Sequence, residues 1–317
     1  MGRKCLPALL ALFLFLSACT PAQPRQQADR QLLATTYPVY LFACEVTRGV
    51  EDTAVSLMID QSVSCLHDYT LTVQDMKALE RADVILLSGA GLEEAMESAL
   101  ETVADTPQID CSQGIPLLEG EAHDHDHDTP GEEEEDNPAL PGHDHEDDPH
   151  IWMDPQRACS MLENLAQGLA QIDPANAALY ETNAKLATDQ ISQAYALMKT
   201  ALSTLPCREL ITFHDGFGYF ADAFDLEILR AMEEEAGSEA SAKEVVGIVE
   251  EIEYHHLPAI FTEANGATAT AQMIHRECGV AVFPLDLMMS RHDDAPGVSL
   301  YLNLLQTNVN TLLEAYT

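Results

Sequence analysis

Positive charge is what this chain of 317 residues has least of. Lys and Arg number 15 against 53 Asp and Glu, a formal net charge of -38. So acidic a chain repels phosphate backbones and anionic lipid surfaces, which argues against nucleic acid as a partner and is compatible with collecting cations. The eight cysteines include no Cys-x-x-Cys pair, which argues against a zinc ribbon or a thioredoxin-like redox site. A His-Glu-x-x-His motif is also missing. His145-Glu146 is followed by His150, a separation of five, with Pro141 before the pair and Pro149 inside it. The metalloprotease pair needs i, i+4 on one helix face, and those prolines exclude that helix. Past the N-terminus, no apolar stretch is long enough to cross a membrane.

The N-terminus carries a processing signal. Arg3 and Lys4 precede an apolar run from Cys5 to Leu16, and Leu16-Ser17-Ala18-Cys19 resembles a bacterial lipobox. The expectation is a signal peptide over 1–18, a lipidated Cys19, a polar tether over 19–30, and an extracytoplasmic protein anchored by lipid to the bacterial cell membrane. Six cysteines then remain: Cys44, Cys65, Cys111, Cys159, Cys207 and Cys278. An exported location permits disulfides, but the sequence does not choose a pairing, and several of these side chains can equally be small buried groups.

The most conspicuous stretch has two unlike halves. From Glu119 to Asp147 it is almost all His, Asp, Glu, Pro and Gly, with His123, His125, His127, His143 and His145 around the acidic run Glu132 to Asp136. With almost nothing to bury, it reads as a solvated, mobile loop that binds zinc loosely, or as a linker with incidental histidines. The second half, Asp148-Pro149-His150-Ile151-Trp152-Met153-Asp154-Pro155, carries the chain's one Trp and a His between two Asp-Pro turns.

Periodicity supplies the architecture. Strands are predicted near 32–37, 54–59 and 83–88, and again near 209–213, 259–262 and 280–284. Helices are predicted between and after them, with Thr72 and Ser241 as N-caps three residues before Asp75 and Glu244. Alternating strands and helices with short connections give parallel sheets. Residues 155–172 read as one helix, and Asp173-Pro174 starts another that runs to about Ser203 without an interrupting Gly or Pro. Roughly 30 residues at about 1.5 Å each span roughly 45 Å, longer than a small domain is wide. Its apolar side is expected at Leu179, Leu186, Tyr195, Met198, Leu202 and Leu205. The expected fold is therefore α/β: two lobes, 31–172 (with the acidic loop 119–147) and 206–317, each a parallel sheet flanked by helices, joined by a spine helix over 173–205. Ligands in such sheets sit beyond the carboxyl ends of strands, here in the interlobe cleft.

Polar groups at those strand ends are the candidate site. His67 follows the second strand, His150 lies in the Asp-Pro turn, His214 follows the first strand of the second lobe, and Asp286 follows Val280 to Pro284. Three imidazoles and a carboxylate suit zinc, with manganese or iron as alternatives. Each His can otherwise be an ordinary loop residue. Asp154 and Asp215 are candidate partners for the imidazole N–H groups, or only helix caps. His255, His256, His275 and His292 have no spacing support and read as surface or helix-end residues.

At these positions the chain resembles the zinc/manganese class (cluster A-I) of ABC-transporter substrate-binding proteins, most closely its ZnuA-like zinc-uptake members. The matching pieces are Thr35-Thr36-Tyr37-Pro38, His67-Asp68-Tyr69, Ala82-Asp83-Val84, Gly89-Ala90-Gly91-Leu92-Glu93, the whole segment from Asp148 to Pro155, His214-Asp215-Gly216-Phe217-Gly218-Tyr219-Phe220, Ser241-Ala242-Lys243, Phe261-Thr262-Glu263 and Pro284-Leu285-Asp286. They run in family order from about residue 31 to the C-terminus. The resemblance implies a metal-binding protein and no enzyme. Its ligands would be His67, His150, His214 and Asp286, its cargo Zn²⁺ with Mn²⁺ as the alternative, and its partner an ABC permease with its ATPase. The chain is expected to be a monomer. Two positions depart from the pattern. Leu66 stands where some zinc members have Glu, which leaves the fourth ligand open between Asp286 and water. Ala264-Asn265-Gly266 follows Glu263, which makes Glu263 a weak supporting candidate. Manganese or iron uptake, a surface zinc buffer or adhesin, and a zinc metallohydrolase are the competing readings.

Overall fold

Val84–Leu87 reads Val-Ile-Leu-Leu, apolar at every position, as expected of a strand covered on both faces. In the computed structural model, which describes residues 30–60, 69–118, 147–232, 240–266 and 268–317, it lies inside a four-stranded sheet. Along the chain come β1 (Arg30–Ala34), α1 (Tyr37–Val46), β2 (Thr53–Leu57), α2 (Val73–Arg81), β3 (Val84–Leu87), a 3₁₀ turn Glu94–Met96 leading into α3 (Glu97–Glu101), and β4 (Gln108–Asp110). A second 3₁₀ turn, Ile151–Met153, precedes α4 (Pro155–Ile172) and α5 (Ala177–Leu202). Then follow β5 (Glu209–Phe213), α6 (Gly218–Phe224), β6 (Glu227–Ala231), α7 (Ala242–His255), β7 (Ala259–Glu263), α8 (Ala269–Cys278), β8 (Ala281–Leu285) and α9 (Val298–Ala315). The sheets are ordered β2-β1-β3-β4 and β6-β5-β7-β8, and every pairing is parallel. The fold is α/β with two such sheets.

The sequence pattern misses two strands, β4 and β6. Both are edge strands. β4 has three residues, exposed-buried-exposed, and β6 mixes Glu and Arg with its apolar residues. Short polar edges carry little periodic signal. Where a helix is expected after the third strand, the chain forms the 3₁₀ turn and the short α3. There the Glu93 carboxylate turns back to accept from Ser88 N–H at 2.7 Å, Gly89 N–H at 3.0 Å and the Thr35 hydroxyl at 2.7 Å, so the chain enters its turn around a buried acid.

Both predicted capping boxes form, at Thr72 with Asp75 and at Ser241 with Glu244. The long helix starts later than Pro174. Asp173 is drawn into a cluster with Arg30, Asn176 (2.8 Å) and the Tyr180 hydroxyl (2.9 Å), and α5 begins at Ala177. Its 26 residues span about 39 Å. The buried stripe also differs from the expected one. Tyr180, Ala184, Ala187, Thr188, Ile191, Met198 and Leu202 are buried, whereas Leu186 is 54% exposed. α5 packs on α4 along a covered face that mixes small residues (Ala184, Ala187 and Thr188) with large ones (Tyr180, Ile191, Met198 and Leu202).

α5 packs on α4, α1 and α9, and α9 packs on β8 as well as α1. One apolar core therefore runs through both halves, from Leu32 and Leu86 through Leu165 and Ile191 to Phe220, Leu285 and Leu312. A smaller one, with Ile211, Val245, Ile248, Ile260 and Ile274, covers the far face of the second sheet. Alternation splits β5 between them, Leu210 to the large core and Ile211 to the small one. Cys44, Cys111, Cys159, Cys207 and Cys278 are free thiols, while Cys5, Cys19 and Cys65 lie outside the described residues. No described helix is long and apolar enough to cross a membrane.

Candidate metal centre

The Asp148-Pro149-His150 turn builds the first half of the site. Asp148 Oδ1 accepts the backbone N–H of His150 at 2.9 Å and lies 2.8 Å from its Nδ1. A carboxylate can only accept there, so the proton sits on Nδ1 and the Nε2 lone pair faces outward as a donor for a cation. Asp148, two residues before His150, is the partner that sequence reasoning missed. Asp154, the expected candidate, instead caps α4 through Gln156 N–H and binds Arg157. The Asp-x-His spacing, which closes an Asx-type turn, was the available signal.

His214 stands just beyond β5 and meets His150 edge to face. The ring centroids are 5.5 Å apart and the planes 88° to each other. Gly216 makes that approach possible. A Cβ there would lie 2.8 Å from His214 Cδ2 and 3.1 Å from His150 Nε2, intruding between the rings. Trp152 holds the other side, its ring 5.3 Å from His150 and its Nε1–H donating to Leu287 O at 2.9 Å. Tyr301 donates to Trp152 O at 2.8 Å. The one Trp thus fastens the His150 turn to the loop after β8.

Asp286 begins that loop. Asn308 of α9 grips its backbone, accepting from Asp286 N–H and donating to Asp286 O, both at 2.8 Å. Its carboxylate is already engaged. Met288 N–H donates to Oδ1 at 2.7 Å, and His292 Nε2 lies 3.2 Å from Oδ2. His292, read from sequence as a surface residue, instead lies partly buried against Asp286. Its backbone N–H donates to the Tyr37 hydroxyl at 3.1 Å, and next to it Arg291 pairs with both oxygens of Asp60 at 3.0 Å. Only tertiary contact reveals it, since His292 sits in an irregular loop. Glu263, which pairs in register with Leu285 on the neighbouring strand, is buried. Burial, with the Asp286 carboxylate adding to it, pushes its pKa up to about 8.

The structure brings His150 and His214 together and sets Asp286, Glu263 and His292 on the loop and strand beyond. Among the described residues no three His, Cys, Asp or Glu side chains converge closely enough to hold a metal. His67, the loop histidines His123, His125, His127, His143 and His145, and the lipidation candidate Cys19 lie outside the described residues. His255 pairs with Glu209, His275 with the Val280 carbonyl, and His256 ends α7 in a left-handed conformation, all structural uses.

A family profile described as zinc-uptake complex component A, periplasmic, matches residues 32–315. The chain is 25% identical to the high-affinity zinc uptake system protein ZnuA of Bacillus subtilis, over 97% of its own length and 95% of that protein's. It is 24% identical to the iron-binding protein YfeA of Yersinia pestis, over 95% and 91%. It is also 24% identical to the zinc-binding protein AdcA of Streptococcus pyogenes, of which it spans only 59%. A crystal structure of ZnuA superimposes with a TM-score of 0.75 at 25% identity, covering 91% of this chain and 99% of the other.

Proposed function

This chain belongs to the zinc-uptake complex component A family, and from that premise we propose that it captures Zn²⁺ outside the cytoplasmic membrane and delivers it to an ABC permease driven by its ATPase. Membership makes it a metal-binding transport component and not an enzyme, and the metallohydrolase alternative falls with it.

The ligands in this reading are His67, His150, His214 and Asp286. The observation that carries it is the His150–His214 pair, one ring from each half of the chain, 5.5 Å apart. Asp148 fixes the His150 tautomer, as metal-binding imidazoles require. For Asp286 to bind, the cation replaces His292 Nε2 at Oδ2. Imidazole donors favour zinc over manganese, which prefers oxygen. The same relatives include an iron-binding protein, so competition of Mn²⁺ and Fe²⁺ against Zn²⁺ belongs in the assay. The lobes 31–172 and 206–317, joined by the helix within 173–205, supply ligands from both sides. Cys19 carries the lipid that holds the protein at the membrane. His123, His125, His127, His143 and His145 raise the local zinc concentration without forming the tight site.

His150→Ala tests the assignment. Calorimetry with a competing chelator should show tight zinc binding lost while the protein stays folded. Retention of tight binding overturns it.

A further inference from the structure

We infer that Tyr219 of α6 is a positioning residue for His150, acting through Asp148. The inference rests on the reading of His150 as a zinc ligand. Tyr219 is fully buried, and its hydroxyl does two things at once. It accepts Leu118 N–H at 2.9 Å and donates to Asp148 O at 2.9 Å. Leu118 and Asp148 are themselves paired, Asp148 N–H to Leu118 O at 3.0 Å. The backbone of Asp148 is thereby held on both sides, and its carboxylate is what grips His150 at Nδ1 and at the backbone N–H.

Two neighbours show that this arrangement is built. Gly218 leaves room for the carboxylate, because a Cβ there would stand 2.8 Å from Asp148 Oδ2. The Arg157 guanidinium lies 4.7 Å from the centre of the Tyr219 ring and is itself fixed by Asp154, Asp222 and Pro116 O. The ring is thus clamped independently of its hydroxyl. Tyr219 also sits five residues after His214, so one short segment supplies a ligand and sets the angle of the other. A freed His150 ring would sample orientations that do not point at the cation, and such partners typically contribute about 10- to 100-fold in metal affinity.

The test is Tyr219→Phe in the full chain, which keeps the ring and its Arg157 contact. Zinc should bind about 10- to 100-fold more weakly. Asp148→Asn should lose a similar amount, and the double variant no more than the larger single loss, because both act on one imidazole. Co²⁺ in place of Zn²⁺ should show altered ligand-field bands in Tyr219→Phe, a change that lowered stability alone would not produce. Unchanged affinity and an unchanged Co²⁺ spectrum in Tyr219→Phe overturn the inference, as do losses that add in the double variant. Should His150→Ala itself keep tight binding, the zinc-site reading fails first. Should it lose binding while Tyr219→Phe does not, only the positioning role fails.

Discussion

Glu263 shows how burial and one neighbouring carboxylate act on a single side chain. Its carboxyl is buried at the end of β7 beside Asp286, and its pKa rises to about 8, first through burial and then through that neighbour. The sign follows from linkage. The unfolded carboxyl ionises near its ordinary value of about 4.5, whereas the folded one keeps its proton until about 8. Below both values the group takes no side between the two states. Between them the folded state binds the extra proton, so stability falls as pH rises, and it levels off above the folded value. Glu263→Gln, neutral throughout, should remove this loss. In metal-free protein the melting temperature of the variant should gain on the parent between pH 5 and pH 8. A constant offset across that range would show that Glu263 is ionised in the folded protein.

At the scale of elements, the ends are well determined and the faces less so. Ser241 caps α7 by accepting Glu244 N–H while Glu244 Oε2 takes Ser241 N–H at 2.6 Å. These are local bonds, and residues three apart in sequence are enough to foresee them. Ser241→Ala should destabilise the fold by about 1 kcal/mol, read as a lower denaturant midpoint with an unchanged slope. Zinc affinity should stay as it was, since the cap's hydrogen bonds run only between Ser241 and Glu244. The buried face of α5 was not local knowledge. Leu186 is exposed and Ala184 and Ala187 are covered, an outcome set by where α4, α1 and α9 pack around α5.

For the whole molecule, connectivity limits motion. α5 runs about 39 Å against α4, α1 and α9, and α9 bridges β8 to α1. The main core is continuous through both sheets. Opening the halves by a wide hinge would tear that core, so zinc capture should proceed by a small tilt. Scattering curves of apo and zinc-bound protein should nearly superimpose, and a large domain rotation between them would refute this. The contacts at the site's rim, Arg291 with Asp60 and His292 with Tyr37, join the two halves directly and are small enough to break and remake.

The sequence by itself determined the α/β class, the two capping boxes, the span of α4, the Asp-Pro turn that carries His150, and the strand ends that precede His214 and Asp286. Those features follow from periodicity, cap chemistry and the family motifs, all readable along the chain. Tertiary structure alone decided that Asp148 and not Asp154 serves His150, that Gly216 clears the space between the two rings, that His292 stands at Asp286, and that Tyr219 reaches back to Asp148. Each of those depends on where side chains distant in sequence meet, or on which of two nearby acids turns inward. Packing fixes both, and of these only the Asp148 contact leaves a trace in spacing, the Asp-x-His turn.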